Sequence, residues 1–461
     1  MLSTRDRILI ALFAVQLLAS LALGIGVVRG LNRPSGSELA TTVGPGAQQQ
    51  DGEVATDPSL GPSGEPVSAA TQGTKSTTVA QSGSRASQNL GVTKDAIKVG
   101  VLVTQRGAIN FQGAAQASKA YFDWVNSQGG VNGRRIVPIY ADDELDSAKG
   151  LAAINKMIND DKVFAFAAWN APLTELSVTP IINENKIPLV GCYGNGDEYK
   201  SPYVYSFEPW GYRWGLAMSS WIADLGGKKP AFIYVDNSNA FANQAWEDGF
   251  KDGFAKRGIT LSPDQIYKVD VTNPDFTQQV AGMQGAGVDS LATIIDQTAH
   301  VRLALAMNRQ RFKPLYVSDP MILDRSSIED PNVGASMEGT YVASDMEWLT
   351  SQDPEVQLYV QETKRRFGSK AMINWSGEVS WLGAKMFVEG LKRAGANPTR
   401  QSLMDALNSM TDFSTGFTAP LTIRPAMHEP NHCFKLSKIA NKQPQPVRDW
   451  LCTGSQAVYG R

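Results

Sequence analysis

The sequence predicts an α/β protein whose parallel sheets form two units in tandem. From about residue 96, short β-branched runs alternate with amphipathic stretches, as expected for parallel strands joined by helical crossovers. The same rhythm restarts after Trp210, which favours two units rather than one. The chain has 461 residues, 42% of them hydrophobic, so it can bury a sizeable core.

Before these units lies a long apolar run, from Ile8 to Val28. The run is long enough to span a bilayer, and it exceeds the roughly 7–15 residues of a signal-peptide core. Arg5 and Arg7 precede it, as in a secretory signal. We interpret residues 1–30 as an uncleaved transmembrane anchor, with a cleaved signal segment as the alternative.

Residues 31–95 are rich in Gly, Ser, Thr, Pro and Gln. A segment of this composition cannot bury enough apolar surface to offset the loss of chain entropy. We therefore predict a flexible tether between the anchor and the folded part. A disordered interaction arm is the less favoured alternative, because no charge block or hydrophobic motif stands out.

The first unit contains four predicted strands with helical patterns between them, such as residues 111–125. The strands are IKVGVLV (97–103), RIVPIYA (135–141), VFAFAA (163–168) and IPLVGC (187–192). Acids follow the second strand, but the sixth and twelfth positions of a calcium loop counted from Asp142 are Ser147 and Ala153. We expect these acids to place negative charge at the start of the next helix instead.

The second unit repeats the pattern. Its predicted strands are PAFIYVD (230–236), SLATIID (290–296), PLYVSD (314–319) and GTYVASD (339–345). Helix starts are marked in both units by a proline just before a periodic segment, where a missing N–H has no cost. These prolines are Pro172, Pro274, Pro354 and Pro398.

The C-terminal part departs from this rhythm, because its prolines and alternating runs are typical of antiparallel strands. Cys433 and Cys452 lie on the two candidate strands. In an oxidising compartment they could form a disulfide that closes a hairpin, and two buried thiols are the alternative. Cys192 stays outside this pair.

The motifs give no support to an enzyme, a metal site or a cofactor. No P-loop, nucleophile elbow or dinucleotide fingerprint opens a helix. His428 and His432 have the spacing of a helical metal site, but Pro430 lies between them, so we predict no metal. The 43 Lys and Arg nearly balance the 45 Asp and Glu, which argues against nucleic-acid binding.

The stretch NSQGGVNGRR (126–135) followed by IYADD (139–143) resembles the type I periplasmic solute-binding proteins, specifically the branched-chain amino-acid (Leu/Ile/Val) receptors of ABC importers. This resemblance implies two Rossmann-like lobes joined by a multi-strand hinge, with ligand in the cleft between them. The first lobe would comprise residues 96–210 with 342–420. The second would comprise residues 211–341 with 421–461, including the C-terminal hairpin.

The resemblance also implies a ligand site on the loops after the strands. The matching positions are Phe111, Gln112, Trp169, Asn170, Ala171, Tyr193, Asn195, Phe241, Gln297 and Asp319. The family's hydroxyl contacts are replaced here by Asn170 or Ala171 and by Tyr193 and Asn195, so we expect a larger or less polar ligand than leucine, such as an amide or aromatic solute. Core packing is an equal alternative for Trp169, and helix capping is an alternative for Asp319.

The function that the resemblance implies is an extracytoplasmic receptor that captures a small, amino-acid-like, amide or aromatic solute for an ABC permease. We expect a monomer held at the outer face of the membrane by its N-terminal helix, or secreted if that segment is cleaved. A tethered ligand-sensing domain that reports to a signalling partner is the second hypothesis. The short segment before the apolar run favours transport, because it is too short to signal by itself.

Overall fold

The computed structural model describes residues 90–107, 109, 111–192, 201–236, 240–270, 272–323, 328, 331–425 and 431–454. The predicted anchor and most of the predicted tether lie outside these residues. At the tether's end, Val92 pairs with Ile97 in an antiparallel bridge, and the Gly91 carbonyl accepts from the amide of Lys98 at 2.9 Å. Within the described ranges, no helix combines the length and the apolar character needed to cross a membrane.

The first sheet has five parallel strands in the order β2-β1-β3-β4-β5. These strands are β1 (Ala96–Leu102), β2 (Arg135–Ala141), β3 (Ala165–Ala167), β4 (Leu189–Val190) and β5 (Val204–Tyr205). The connecting helices are α1 (Gln112–Ser127), α2 (Ser147–Asn159) and α3 (Pro172–Asn185). All four predicted strands of this unit are confirmed, and the short β5 was not predicted.

The second sheet has seven strands in the order β12-β11-β10-β9-β8-β6-β7. Five of them are parallel: β6 (Pro230–Val235), β7 (Ile266–Val269), β8 (Ser290–Ile294), β9 (Leu315–Ser318) and β10 (Tyr341–Ser344). Their helices are α4 (Gly211–Asp224), α5 (Ala240–Ala255), α6 (Thr277–Gly285), α7 (Gln297–Arg309) and α8 (Pro331–Met337).

The C-terminal hairpin completes the second sheet, as predicted. β11 (Cys433–Ala440) lies antiparallel to β10, and β12 (Gln443–Cys452) lies antiparallel to β11. Cys433 and Cys452 are opposite each other and form the predicted disulfide. Cys192 is buried, apart from this pair.

Between β10 and β11 the chain returns to the first sheet. There it forms α9 (Pro354–Phe367), α10 (Trp375–Ala394) and α11 (Arg400–Asn408). The chain thus crosses between the sheets after β5, after β10 and before β11. Since β10 pairs with β9 and β11, the predicted lobe boundary at residue 342 falls inside a strand of the second sheet. Leu421 and Ile423, placed in the second lobe by the prediction, pack in the core of the first.

Each sheet is covered by apolar side chains on both faces, as parallel sheets require. On the first sheet, one core lies beneath α1 and α10 and the other beneath α2 and α3. On the second sheet, aromatic residues of α4 and α5 cover one face, and aliphatic residues of α6 and α7 cover the other. Loops follow the carboxyl ends of the strands.

The GGVNGR stretch forms a tight turn of the scaffold. Gly130 has a φ of 74°, and a Cβ there would lie 2.0 Å from the carbonyl oxygen of Arg134, so only glycine fits this turn. Asp146 caps α2 by accepting from the amides of Ala148 and Lys149.

Candidate ligand-binding cleft

A cavity of about 220 Å³ lies where the loops after the strands of both sheets meet. Its lining comes from the loops after β1, β2, β3 and β5 of the first sheet and after β6, β7, β8 and β9 of the second. In open α/β sheets, ligands bind in this crevice at the carboxyl ends of the strands. The cavity is therefore our candidate binding site.

Most of the cavity wall is apolar. The first sheet contributes Ile109, Phe111, Leu145, Pro172 and Leu173. The second contributes Trp214, Val235, Trp246, Ile294, Ile295 and Met321. Trp375, the first residue of α10, also lines the cavity, and its Nε1 donates to Asp345 at 3.3 Å. Such a wall favours a ligand with an apolar or aromatic body.

The close packing of α4 on α5 places two of these tryptophans. A Cβ at Gly211 would lie 2.4 Å from the Trp246 ring, so the missing side chain lets this indole reach over the start of α4. Trp214 follows one turn later on α4 and packs edge-on against Phe434 with ring centroids 4.8 Å apart. Both indoles are almost fully buried, which fixes their orientation at the cleft.

The polar part of the wall is acidic. Asp236, Asp270, Asp296 and Asp319 follow β6, β7, β8 and β9, and all four line the cavity, together with Glu208 from the first crossing. Among the described residues that line the cavity, none is Lys, Arg or His.

Asp319 is held by a buried network. Its Oδ2 accepts from the amide of Ile295 at 2.9 Å and lies 3.1 Å from Nε2 of His300, and its Oδ1 accepts from the amide of Met321 at 2.8 Å. Nδ1 of His300 is in turn 2.9 Å from the hydroxyl of Tyr316. Asp319 therefore caps the turn at residues 320–323 and also lines the cavity.

Asp296 is the N-cap of α7. Its Oδ1 accepts from the amides of Thr298 and Ala299 at 2.9 and 3.0 Å. Its Oδ2 is buried and has no hydrogen-bond partner among the described residues. A buried carboxylate oxygen without a partner is costly, so this atom is suited to a ligand's donor.

Glu208 and Asp345 form a buried carboxyl pair on two different crossings. The two carboxyl groups are close enough for each to influence the pKa of the other. Burial, followed by the charge of Asp345, raises the pKa of Glu208 well above its usual value, and burial raises the pKa of Asp345 to about 6. Glu378 on α10 is a third such group, whose pKa is raised by burial and then by Asp345.

The structure places two of the residues predicted from the sequence, Phe111 and Asp319, on the cavity wall. Gln297, the first residue of α7, lines a smaller adjoining cavity of about 20 Å³. Gln112 is exposed, and its Nε2 donates to the carbonyl of Gln105 at 3.2 Å.

The residues predicted after β3 lie deeper. Trp169 is fully buried, donates from Nε1 to the carbonyl of Gly100 at 3.3 Å and packs edge-on against Phe166, which favours the core-packing alternative. Asn170 and Ala171 are also buried and do not line the cavity, whereas the next two residues do. Tyr193 and Asn195 lie outside the described residues. Phe241 lies in the first turn of α5, and its side chain is not described.

Apart from Asp319, the acidic residues of the wall were not predicted, and neither were Trp214, Trp246 and Trp375. The signal for the aspartates is visible in the sequence, because the predicted strands of the second unit each end in aspartate. The tryptophans have no such signal, since a buried tryptophan of the core and one of a cleft look alike in a sequence.

His432 does not belong to a metal site within the described residues. It lies beside Cys433 and Cys452, whose sulfurs are joined in the disulfide and so do not act as thiolate ligands. His428 lies outside the described residues.

Comparisons with known proteins agree with this architecture. The family model for periplasmic binding proteins matches residues 96–444. A "Leu/Ile/Val-binding protein homolog 1" of Brucella abortus is 24% identical over 324 residues, which cover 69% of this chain and 83% of that protein.

Solved structures share the fold at low sequence identity. The fatty acid ABC transporter substrate-binding protein of Thermomonospora curvata superposes with a TM-score of 0.71 at 19% identity, covering 79% of this chain and 95% of that one. A branched-chain amino acid ABC transporter structure from Thermus thermophilus with bound valine gives 0.69 at 16% identity, covering 79% and 98%. A solute-binding protein from Rhodopseudomonas palustris BisB5 in complex with 3,4-dihydroxybenzoic acid gives 0.65 at 20% identity, covering 78% and 98%.

The family match extends over most of the chain and includes the first sheet, the second sheet as far as the start of β12, the crossings after β5 and β10, and every strand that borders the cavity. Family members are solute-binding proteins of transporters, which agrees with the prediction that the chain is not an enzyme. The chain therefore belongs to the periplasmic binding protein family, with the type I fold of the Leu/Ile/Val receptors of ABC transporters.

Proposed function

We propose that this protein captures a small organic solute in the cleft between its two sheets and delivers it to an ABC importer at the outer face of the membrane. The observation that carries the proposal is the cavity at the carboxyl ends of both sets of strands. Its aromatic wall supports an apolar or aromatic solute over one with the size and polarity of leucine.

Capture requires the two lobes to close around the ligand. The cavity draws its wall from both sheets, so a bound solute contacts both and favours the closed arrangement. The apolar run at residues 8–28, outside the described residues, would tether the receptor to the membrane as a monomer. Phe111 and Asp319 are the proposed ligand contacts that came from the sequence.

Thermal-shift screening of the full-length chain tests the proposal. The panel contains amino acids, amides, aromatic acids, amines and sugars, and we expect one class to raise Tm, because a ligand at about 100 times its Kd adds about 2.7 kcal/mol to the free energy of unfolding.

A pair of variants locates the binding. Met321→Trp adds bulk to the cavity wall and should reduce the shift, whereas Val137→Trp adds the same ring on β2, where Val137 is 40% exposed, and should leave it unchanged. If no solute in the panel stabilises the protein, or if both variants respond alike, the proposed site is not a receptor cleft.

A further inference from the structure

We propose that the ligand is an organic cation, a small amine or ammonium compound with an apolar body. This inference rests on the proposed solute-binding function and adds the charge of the solute. It is carried by the repeated placement of aspartate at the ends of the parallel strands of the second sheet.

The charged side chains that line the cleft are acidic. Four consecutive parallel strands of the second sheet, β6 to β9, are each followed by an aspartate that lines the cavity. The described lining contains no basic side chain to balance them. Arg213 on α4 is buried and directly precedes the lining residue Trp214 in the sequence. Its side chain donates to the carbonyl of Thr453 and does not line the cavity. A cleft with this charge attracts cations and repels carboxylates.

One aspartate of the cleft has a buried oxygen that can still accept a hydrogen bond. The loops account for three of the aspartates: Asp236 accepts from Asn243, Asp270 from Thr272, and Asp319 uses both oxygens. Asp296 differs, because its Oδ2 is buried and has no partner among the described residues, whereas Asp236 and Asp270 are exposed to solvent. An ammonium group would supply the missing donor in a charge-assisted hydrogen bond.

The rest of the cavity wall is rich in tryptophan and suits a cation with an apolar body. Trp214, Trp246 and Trp375 line the same cavity as the aspartates, and the face of an indole attracts a cation while its surface packs against an apolar body. At about 220 Å³, the cavity is smaller than the roughly 300–1,000 Å³ of typical ligand pockets, which favours a small amine.

The alternative is that the aspartates serve only their loops. Aspartate is common after strands because its side chain accepts from loop amides and caps helices. That role explains the oxygens with partners, but it does not explain why an N-cap would leave a buried oxygen without one. If the aspartates serve only their loops, the cleft has no preference for amines, whereas a cation site does prefer them.

The test uses triplets of solutes that share a body and differ in charge. We would compare 2-phenylethylamine, 3-phenylpropionamide and 3-phenylpropionate, and the corresponding butyl and indolyl compounds, by calorimetry with the full-length chain. In each triplet that binds, we expect the amine to bind most tightly, and we expect Asp296→Asn to weaken the amine by about tenfold or more.

The matched control is Asp353→Asn. Asp353 caps α9 in the same way that Asp296 caps α7, but it does not line the cavity. Asparagine caps helices as well as aspartate does, so both variants should fold, and only Asp296→Asn should weaken amine binding.

The outcomes separate this inference from the proposed function. If an acid or amide binds more tightly than its amine, or if Asp296→Asn binds the amine as the wild type does, the cation inference is overturned and the receptor function stands. If the triplets fail while the wider panel yields a ligand that is not an amine, the inference is again overturned. If nothing in either set binds, both are overturned.

Discussion

Glu208 and Asp345 are two buried carboxyl groups on the segments that link the two sheets. Glu208 is 3% exposed and Asp345 is fully buried. Burial raises the pKa of both groups, so the folded protein holds on to protons up to a higher pH than the unfolded chain does. The free energy of unfolding must therefore depend on pH.

We expect Asp345→Asn to raise Tm more at pH 7.5 than at pH 5. A carboxyl group with a raised folded pKa contributes least at high pH, so the free energy of unfolding falls as pH rises from the ordinary value of 3.8 through about 6. The amide removes this loss, which is on the order of 3 kcal/mol. Its oxygen can still accept from Trp375.

Thermal melts at the two pH values measure the effect. Asp264→Asn is the control, because Asp264 is exposed next to β7 and far in the sequence from both crossings. If the two variants change Tm by equal amounts at both pH values, the buried pair does not govern the pH dependence.

Individual residues of the cleft were harder to predict than the chain's general pattern. Asp319 was identified through the family resemblance, and it lies on the cavity wall at the end of a strand. Trp169 has an equivalent position but turns into the core to reach Gly100, and no sequence pattern distinguishes these two outcomes. Asp296 and Glu208 were missed because their roles depend on neighbours that are distant in the sequence.

At the scale of elements, the contact between α4 and α5 depends on glycines. A Cβ at Gly249 would lie 2.1 Å from the carbonyl oxygen of Tyr212, and one at Gly215 would lie 2.5 Å from the amide nitrogen of Phe250. Backbone atoms cannot move aside as a flexible side chain can. The two helices that carry Trp214 and Trp246 therefore touch along their backbones.

Gly249→Ala should lower the free energy of unfolding by about 1–3 kcal/mol or more, since the added methyl group pushes α5 away from α4. Gly285→Ala is the matched control: Gly285 also lies in a helix, but a Cβ there would meet no atom within 4 Å. Alanine's higher helix propensity should leave that variant unchanged or stabilise it by up to about 1 kcal/mol. Denaturant titration compares them, and equal destabilisation would contradict the backbone contact.

Most elements could be predicted from the sequence because their periodicity is strong. Pro172 and Pro354 begin α3 and α9, as expected for a residue that needs no helical N–H. β7 was missed, since Ile266–Val269 is short and only one of its four residues is buried. The short β5 was missed for a similar reason, because two residues carry no detectable period.

At the scale of the whole molecule, the disulfide secures one sheet and not the other. It joins the first residue of β11 to the last residue of β12, 19 positions apart, at the end of the second sheet that opposes β7. The chain reaches this hairpin only after returning from the first sheet. The disulfide therefore joins the two strands that come last in the chain.

Replacing both cysteines with serine should lower the free energy of unfolding by about 2–4 kcal/mol, because the unfolded chain regains entropy. Hydrogen exchange should show lost protection in β11 and β12 while β1 and β3 stay protected, since these strands belong to the other sheet. Wild-type protein with and without reductant provides the comparison. Uniform loss across both sheets would show that they unfold as one unit.

The overall architecture was the most predictable level, because one glycine turn and a repeated strand pattern identify the fold. The lobe boundaries were less predictable from the sequence. β10 reads like any other strand, and only its pairing with β9 and β11 reveals which sheet it joins. Pairing between distant segments leaves no local trace in a sequence.

The crossings give the cleft a property of its own. Glu208 lies on the first crossing and borders the cavity, Asp345 lies on the second, and Asn431, just before β11, donates to the carbonyl of Asp345 at 3.4 Å. These buried polar groups thus bring together the segments on which any bending must occur. Because Glu208 also borders the cavity, the segments that bend when the lobes close and the wall that a solute touches share a residue.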